Sequence, residues 1–394
     1  RISYAVPLAL NKAGKLGLFY TDIWFKGLPV IAPIIAPNIT KKIRSRSNNE
    51  IDSSKVISFN MQSYLDILVL YFSRKRKSTS LYDHYLKQGA SFARRVANHM
   101  LTSGISEKSG VFLSHSTQAL ETFQFLIDKN YKKVLDQFDA GGQLDRILYE
   151  EQLSWPDWVS IRFVPNRDFQ ERRAQEWSCC DIIIVKTDYV KDALVSQGVD
   201  SSKIKLVDPV YSGFISKQRS YNLNKARPIR VLFLGRVGLT KGIQYLCEAA
   251  KHMDKNRFKF TVAGPLEIKE NILAEAPENM QFLGPIPRQE IGRLFEFSDL
   301  YVLPTLSDNC PSSVLEAMAY GVPPLVTRES GAPIEDGKDG LMIRARDAYS
   351  IVEALERVDA ERELIPFLGN NAISKVKKYS LDNFMRSLTK VIEQ

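Results

Sequence analysis

LYVLPTLSDNCPSSVLEAMAYGVPPLV, Leu300 to Val326, is the stretch that decides how this chain folds. It opens on an apolar run, Leu300 to Thr305, unbroken enough for a strand covered on both faces. A polar turn follows, and then Leu315, Met318 and Ala319 recur at the spacing of an inward helical stripe. Gly321 and Pro323 end that helix, and a second apolar run, PPLVTRE, starts at once. Strand, helix and strand in this order form a parallel crossover unit, the repeating element of α/β sheets.

The polar turn holds Asp308 and Glu316 with seven residues between them, around the helix start. Ser313 followed three residues later by Glu316 is a capping-box pattern, in which Glu316 ties down its own helix. A second reading stands beside it. The amides of Ser313, Val314 and Leu315 point out of the helix start toward an anion, as such starts do after parallel strands. Local pattern alone leaves both open.

The same alternation runs through all 394 residues, which suggests two domains, each with its own core. Strand-like runs in the first half are LGLFYTDIW, SGVFLSHS, YKKVLDQFD, DIIIVKT and KIKLVDP. In the second half they are PIRVLFLGRV, FKFTVAGP, MQFLGPI, LYVLPT and PPLVTRE. Between the halves, Asp208 to Pro228 is polar, basic and without period, as expected of a linker. The expected division is therefore a first Rossmann-like domain over 1–208, a linker over 209–228 and a second over 229–375. The final amphipathic helix, within 376–394, is expected to pack back on the first domain. Open α/β sheets bind ligands at the carboxyl ends of their strands, so a cleft between two such domains is where chemistry is expected.

Composition narrows the class. Hydrophobic content of 44% and charged content of 25% are those of a soluble globular protein. A net charge of +9 favours anionic partners. The four cysteines, Cys179, Cys180, Cys247 and Cys310, form no CxxC pair, so a reducing cytoplasm is expected and no zinc site. Gly27 to Pro37 is apolar but short and broken by prolines, which suits neither a membrane span nor a secretory signal. The basic clusters Lys41 to Arg46 and Arg74 to Lys77 read as solvated faces, with peripheral contact to anionic lipid as a second use. No zinc-finger spacing or interleaving of aromatic and basic residues favours nucleic acid.

Two motifs follow strands in the second half. Gly235 lets the chain turn after Leu234, and Arg236 and Lys241 stand at the mouth of the next helix. Two cations there suit a diphosphate, Arg by its fork and Lys as a point charge, although a solvated basic turn gives the same pattern. Ala263, Gly264 and Pro265 permit close backbone approach, or simply make a turn. Neither GxGxxG nor GxxxxGK[ST] is present.

In order and spacing these pieces resemble glycosyltransferase family 4, whose members share the two-domain GT-B fold. The resemblance rests on FLGRVGLTKGIQYLCEAA, FTVAGP, FLGPI, SDLYVLPTLSDNCPSSVLEAMAYGVPPLV and GKDGLMI, within 229–358. It implies that Arg236 and Lys241 bind the donor diphosphate and that Glu316 accepts hydrogen bonds from the nucleotide ribose. It places Asp308 beside the donor sugar, with Gly235, Gly264 and the start at Ser313, Val314 and Leu315 completing the donor site. Asp308 is one methylene shorter than the family's usual Glu, and Asn309 and Pro311 stand where glycines are common. The resemblance further implies transfer with retention, without cofactor or metal. The leaving phosphate assists the incoming hydroxyl, and no protein nucleophile is needed. A saccharide or lipid-linked acceptor is implied, with a place at the inner face of the membrane. A sugar phosphorylase, a nucleotide-sugar epimerase and a basic nucleic-acid-binding protein are the alternatives.

The resemblance is looser before Asp208. Pro7 to Asp22 is similar to the family's first helix and second strand, while ISYAV offers an alternative short first strand. His115 ends the strand VFLSHS, where the family carries a histidine beside the donor sugar; a positioning role is expected rather than a general base. Asp139 reads as a turn residue, and Trp155 and Trp158 as core.

Overall fold

The computed structural model describes residues 4–24, 46–63, 81–159 and 162–394. The apolar segment Gly27 to Pro37 and both basic clusters, save Arg46, lie outside these residues; Arg46 donates to Asp22 at 2.6 Å. Among the described residues there are two compact units, one of 138–165 and 185–383, the other of 2–137, 166–184 and 384–394.

The first strands are β1 (Phe19–Thr21), β2 (Val56–Ser58), β3 (Gly110–His115), β4 (Tyr131–Asp136), β5 (Ile182–Val185) and β6 (Ile204–Leu206). They form a two-stranded sheet, β1-β2, and a four-stranded sheet in the order β3-β4-β5-β6. Within ISYAV, Ala5 and Val6 are helical, as part of Ala5–Lys12, and the chain passes from that helix to β1.

The second group is β7 (Ile229–Leu234), β8 (Phe258–Ala263), β9 (Met280–Gly284), β10 (Leu300–Leu303), β11 (Pro324–Thr327) and β12 (Leu341–Ile343). They form one parallel sheet in the order β12-β11-β10-β7-β8-β9. Every residue of β10 and β11 is buried, because parallel crossovers lay helices over both faces. Helix Ser312–Ala319 packs on Leu364–Val376, and Ile243–Lys251 on Ala348–Ala360. From β7 the chain steps outward to β8 and β9, then returns to the other side of β7 for β10, β11 and β12. The junction of β7 and β10 is thus the point where strand order reverses, and open α/β sheets bind ligands at that point.

The segment 207–228 contains no helix or strand, yet it is tied to the sheet. Arg227 forks onto Asp299 at 2.7 and 2.9 Å, and Asp299 also accepts from the amide of Arg230 at 2.9 Å. Burial pulls the Asp299 carboxyl upward, but the bonds donated by Arg227 and Arg230 outweigh it and hold the group below its ordinary value. One carboxylate thereby joins the segment's end, the start of β7 and the start of β10.

Candidate functional site

Loops from β7, β8 and β10 meet at the reversal point. Gly242 has φ +71°, and a Cβ there would lie 1.9 Å from the Pro304 carbonyl oxygen, so only glycine lets these two loops touch. The contact is secured by the Thr240 carbonyl, which accepts from Leu306 N at 2.8 Å and from Thr305 Oγ1 at 3.0 Å. As a result Lys241 and Asp308, 67 residues apart in sequence, form an ion pair with side chains only 15% and 21% exposed. The Asp308 loop is held from its far side, where Asp308 N donates to the Glu329 carbonyl at 2.9 Å and Cys310 N to that of Ser330 at 3.1 Å. Burial pushes the Cys310 thiol up to about 12, so it stays protonated.

The helix beside this pair begins at Ser312, after Pro311, and no side chain caps it. The capping box expected at Ser313 is therefore absent. The fixed φ of Pro311 sets the helix start before Ser313, which becomes the second helical residue. Its hydroxyl instead lies 2.8 Å from the phenol of Tyr301. Val314 N is not open to an anion, since it donates to the Pro311 carbonyl at 3.0 Å. Leu315, as the fourth helical residue, falls within the i to i−4 ladder.

Tyr301 was not singled out by the sequence, yet it connects the parts. It is fully buried, and its hydroxyl donates to the Leu234 carbonyl at 3.2 Å, joining the end of β7 to Ser313. Burial above all pushes this phenol far above its ordinary value, against the bond with Ser313, and the negative charges of Asp308 and Glu316 add to the rise. The opposite end of the helix is finished by 216–221. Ser216 N donates to the Ala319 carbonyl at 2.9 Å, Arg219 to that of Tyr320 at 3.0 Å and Tyr221 to that of Gly321 at 3.0 Å.

The glycines divide differently from expectation. Gly264 has φ +140°, and a Cβ on it would stand 1.7 Å from the Gly235 carbonyl oxygen, so the close approach occurs at this position. Gly235 does not have a positive φ, and a Cβ on it would meet nothing within 4 Å. The turn there needs no glycine; the position faces open space. Arg236 is 64% exposed and 3.5 Å from Glu267, a solvated pair of little energetic weight.

His115 closes β3 in the other unit, with its Nδ1 3.1 Å from Asp136. Asp139 accepts from Gly141 N at 3.0 Å, the turn role expected of it. Trp158 is a buried core residue and the half-buried Trp155 packs against that core, their ring centroids 5.6 Å apart and edge-on. No helix among the described residues is long and apolar enough to cross a membrane.

Residues 214–375, which hold the Lys241–Asp308 pair and the helix beside it, match the description "Glycosyl transferases group 1". The match covers less than half of the chain. Wider likeness accompanies it. Over 192 residues the chain is 27% identical to sulfoquinovosyl transferase SQD2 of Arabidopsis thaliana, covering 47% of this chain and 36% of that protein. Over 199 residues it is 25% identical to the UDP-Gal:alpha-D-GlcNAc-diphosphoundecaprenol alpha-1,3-galactosyltransferase of Escherichia coli, covering 48% of this chain and 50% of that one. The chain thus spans half or less of these relatives' length. Its fold is that of the GT-B glycosyltransferases. HepE of Anabaena, solved with UDP-glucose, superposes with a TM-score of 0.57 at 14% identity over 95% of this chain and 98% of HepE.

Proposed function

We propose that this protein is a retaining, hexosyl-type glycosyltransferase that moves a sugar from a nucleoside diphosphate sugar to a saccharide or lipid-linked hydroxyl. Its setting is the synthesis of cell-surface polysaccharide or glycolipid, at the cytoplasmic face of a membrane. The observation that carries the reading is the Lys241–Asp308 pair at the strand-order reversal, beside a helix start, within the group 1 match.

In this reading the donor diphosphate takes up Lys241 and Arg236, and the dipole of helix Ser312–Ala319 adds positive potential at Ser313. Glu316 accepts from the ribose, and Asp308, once parted from Lys241, faces the sugar. The open space at Gly235 leaves room for phosphate oxygens, and the close approach of Gly264 holds the neighbouring loop against it. The bond from the anomeric carbon to the phosphate oxygen breaks, the acceptor oxygen bonds to that carbon on the same face, and its proton passes to the leaving phosphate. Charge on the leaving group is met by Arg236 and Lys241, so neither cofactor nor metal is required. His115 binds a sugar hydroxyl.

The test is a panel of nucleoside diphosphates and their sugars, scored by thermal shift and then by sugar transfer with and without chelator. A ligand at about 100 times its dissociation constant stabilises by about 2.7 kcal/mol. Failure of every nucleoside diphosphate to bind refutes the reading, and transfer abolished by chelator refutes its metal-independent part.

A further inference from the structure

His115 and Asp136 are register partners at the carboxyl ends of adjacent strands β3 and β4. The His115 ring is 58% exposed, whereas the carboxylate it meets is 4% exposed. The 3.1 Å ion-pair distance sets a carboxylate, which carries no proton to give, against Nδ1, and its negative charge favours a proton on that nitrogen over a lone pair, leaving the lone pair of the neutral ring on Nε2. The surrounding turn is fixed independently. Ser116 N donates to the Asp136 carbonyl at 3.0 Å, and Glu176 accepts from the amides of Thr117, Ala119 and Leu120 at 2.6, 3.0 and 3.2 Å. Arg172, the neighbouring cation, forks onto Glu121 at 3.0 and 2.7 Å and donates to the Thr117 carbonyl at 3.0 Å.

We propose that Asp136 is a positioning residue that locks His115 in the Nδ1–H tautomer, so that Nε2 accepts a hydrogen bond from a sugar hydroxyl. The identity of that hydroxyl rests on the transferase reading; the tautomer rests on the strand register and the carboxylate alone. Asparagine at position 136 keeps the shape but presents an amide that can donate to Nδ1, which moves the ring proton to Nε2.

The full chain carries four histidines, and labelling them with ¹⁵N allows each tautomer to be read by long-range proton–nitrogen NMR. His115→Gln assigns the signal of interest. Expected are an Nδ1–H tautomer in the unaltered protein and an Nε2–H tautomer in Asp136→Asn. Release of UDP from UDP-sugars should fall roughly 10- to 100-fold in kcat in Asp136→Asn, with UDP binding unchanged. In the His115→Gln background the same change should cost less than about 2-fold, because the positioned ring is gone. An Nε2–H tautomer in the unaltered protein overturns the proposal, as does an equal cost of Asp136→Asn in both backgrounds. Should no UDP-sugar react while the tautomer depends on Asp136, the positioning holds and only the transferase reading fails.

Discussion

Gly264→Ala should destabilise the protein by about 2–6 kcal/mol, the sum of two costs that other glycines separate. The first is conformational: φ +140° is open to glycine and closed to alanine, a strain of about 1–3 kcal/mol. The second is steric. The new methyl would stand 1.7 Å from the Gly235 carbonyl oxygen, and overpacking of this kind costs about 1–3 kcal/mol. That carbonyl is poorly placed to withdraw. Gly235 N donates to Ala263 O at 3.0 Å, Val237 N to Pro265 O at 2.8 Å and Glu267 N to Val237 O at 2.9 Å. Gly337→Ala isolates the first cost, since φ is +71° with nothing within 4 Å, and should lose about 1 kcal/mol. Gly235→Ala carries neither cost and should stay within about 0.5 kcal/mol of the unaltered protein. Its methyl would nevertheless occupy the space proposed for donor phosphates, and affinity for the nucleoside diphosphate that binds in the panel should fall roughly tenfold, about 1.4 kcal/mol. Urea unfolding at 25 °C measures the stabilities, and calorimetric titration with that nucleotide measures the affinity. A Gly264→Ala protein as stable as Gly337→Ala would refute the steric argument, and a Gly235→Ala protein that unfolds early would refute the division between the two sites.

Tyr301→Phe leaves the Leu234 carbonyl and the Ser313 hydroxyl short of a buried partner and should cost roughly 1–3 kcal/mol in urea, with nucleoside diphosphate binding weakened as the helix start loosens. An unchanged unfolding midpoint would remove Tyr301 from the account. Asp299→Asn should cost about 2–3 kcal/mol at neutral pH by loosening the bonds from Arg227 and Arg230. Because the folded carboxyl is held below its ordinary value of 3.8, its contribution is present above that pH and lost as pH falls through the folded value. The stability gap between the two proteins should therefore shrink in acid, and a gap that widens below pH 4 would contradict the assignment.

The α/β architecture was legible because β10 and β11 are near-continuous apolar runs and β7 is interrupted only by Arg230, the signature of strands covered on both faces. Strands β2 and β12 were missed, since three residues carry no readable period. The helix after β10 was foreseen, but two adjacent serines made its first residue ambiguous, and Pro311 moved the start away from the expected cap. Tertiary partners left no local trace. Arg219 bonds carbonyls 76 and 101 residues away, and Asp136 meets His115 only through strand register. Arg236 and Lys241 were read as cations awaiting phosphate, whereas here they face Glu267 and Asp308. Sequence spacing cannot show such pairing, because it arises where separate loops fold together.

That pairing offers the most direct test, because its two members should respond in opposite directions to whichever nucleoside diphosphate binds in the panel. In a calorimetric titration with that nucleotide, Lys241→Ala should weaken binding roughly 10- to 100-fold by removing a charge-assisted contact. Asp308→Ala relieves Lys241 of its carboxylate and should bind the nucleotide as tightly as the unaltered protein or more so, while the proposed sugar transfer is lost. Equal affinity in all three proteins, or weaker binding in Asp308→Ala than in Lys241→Ala, would contradict the account.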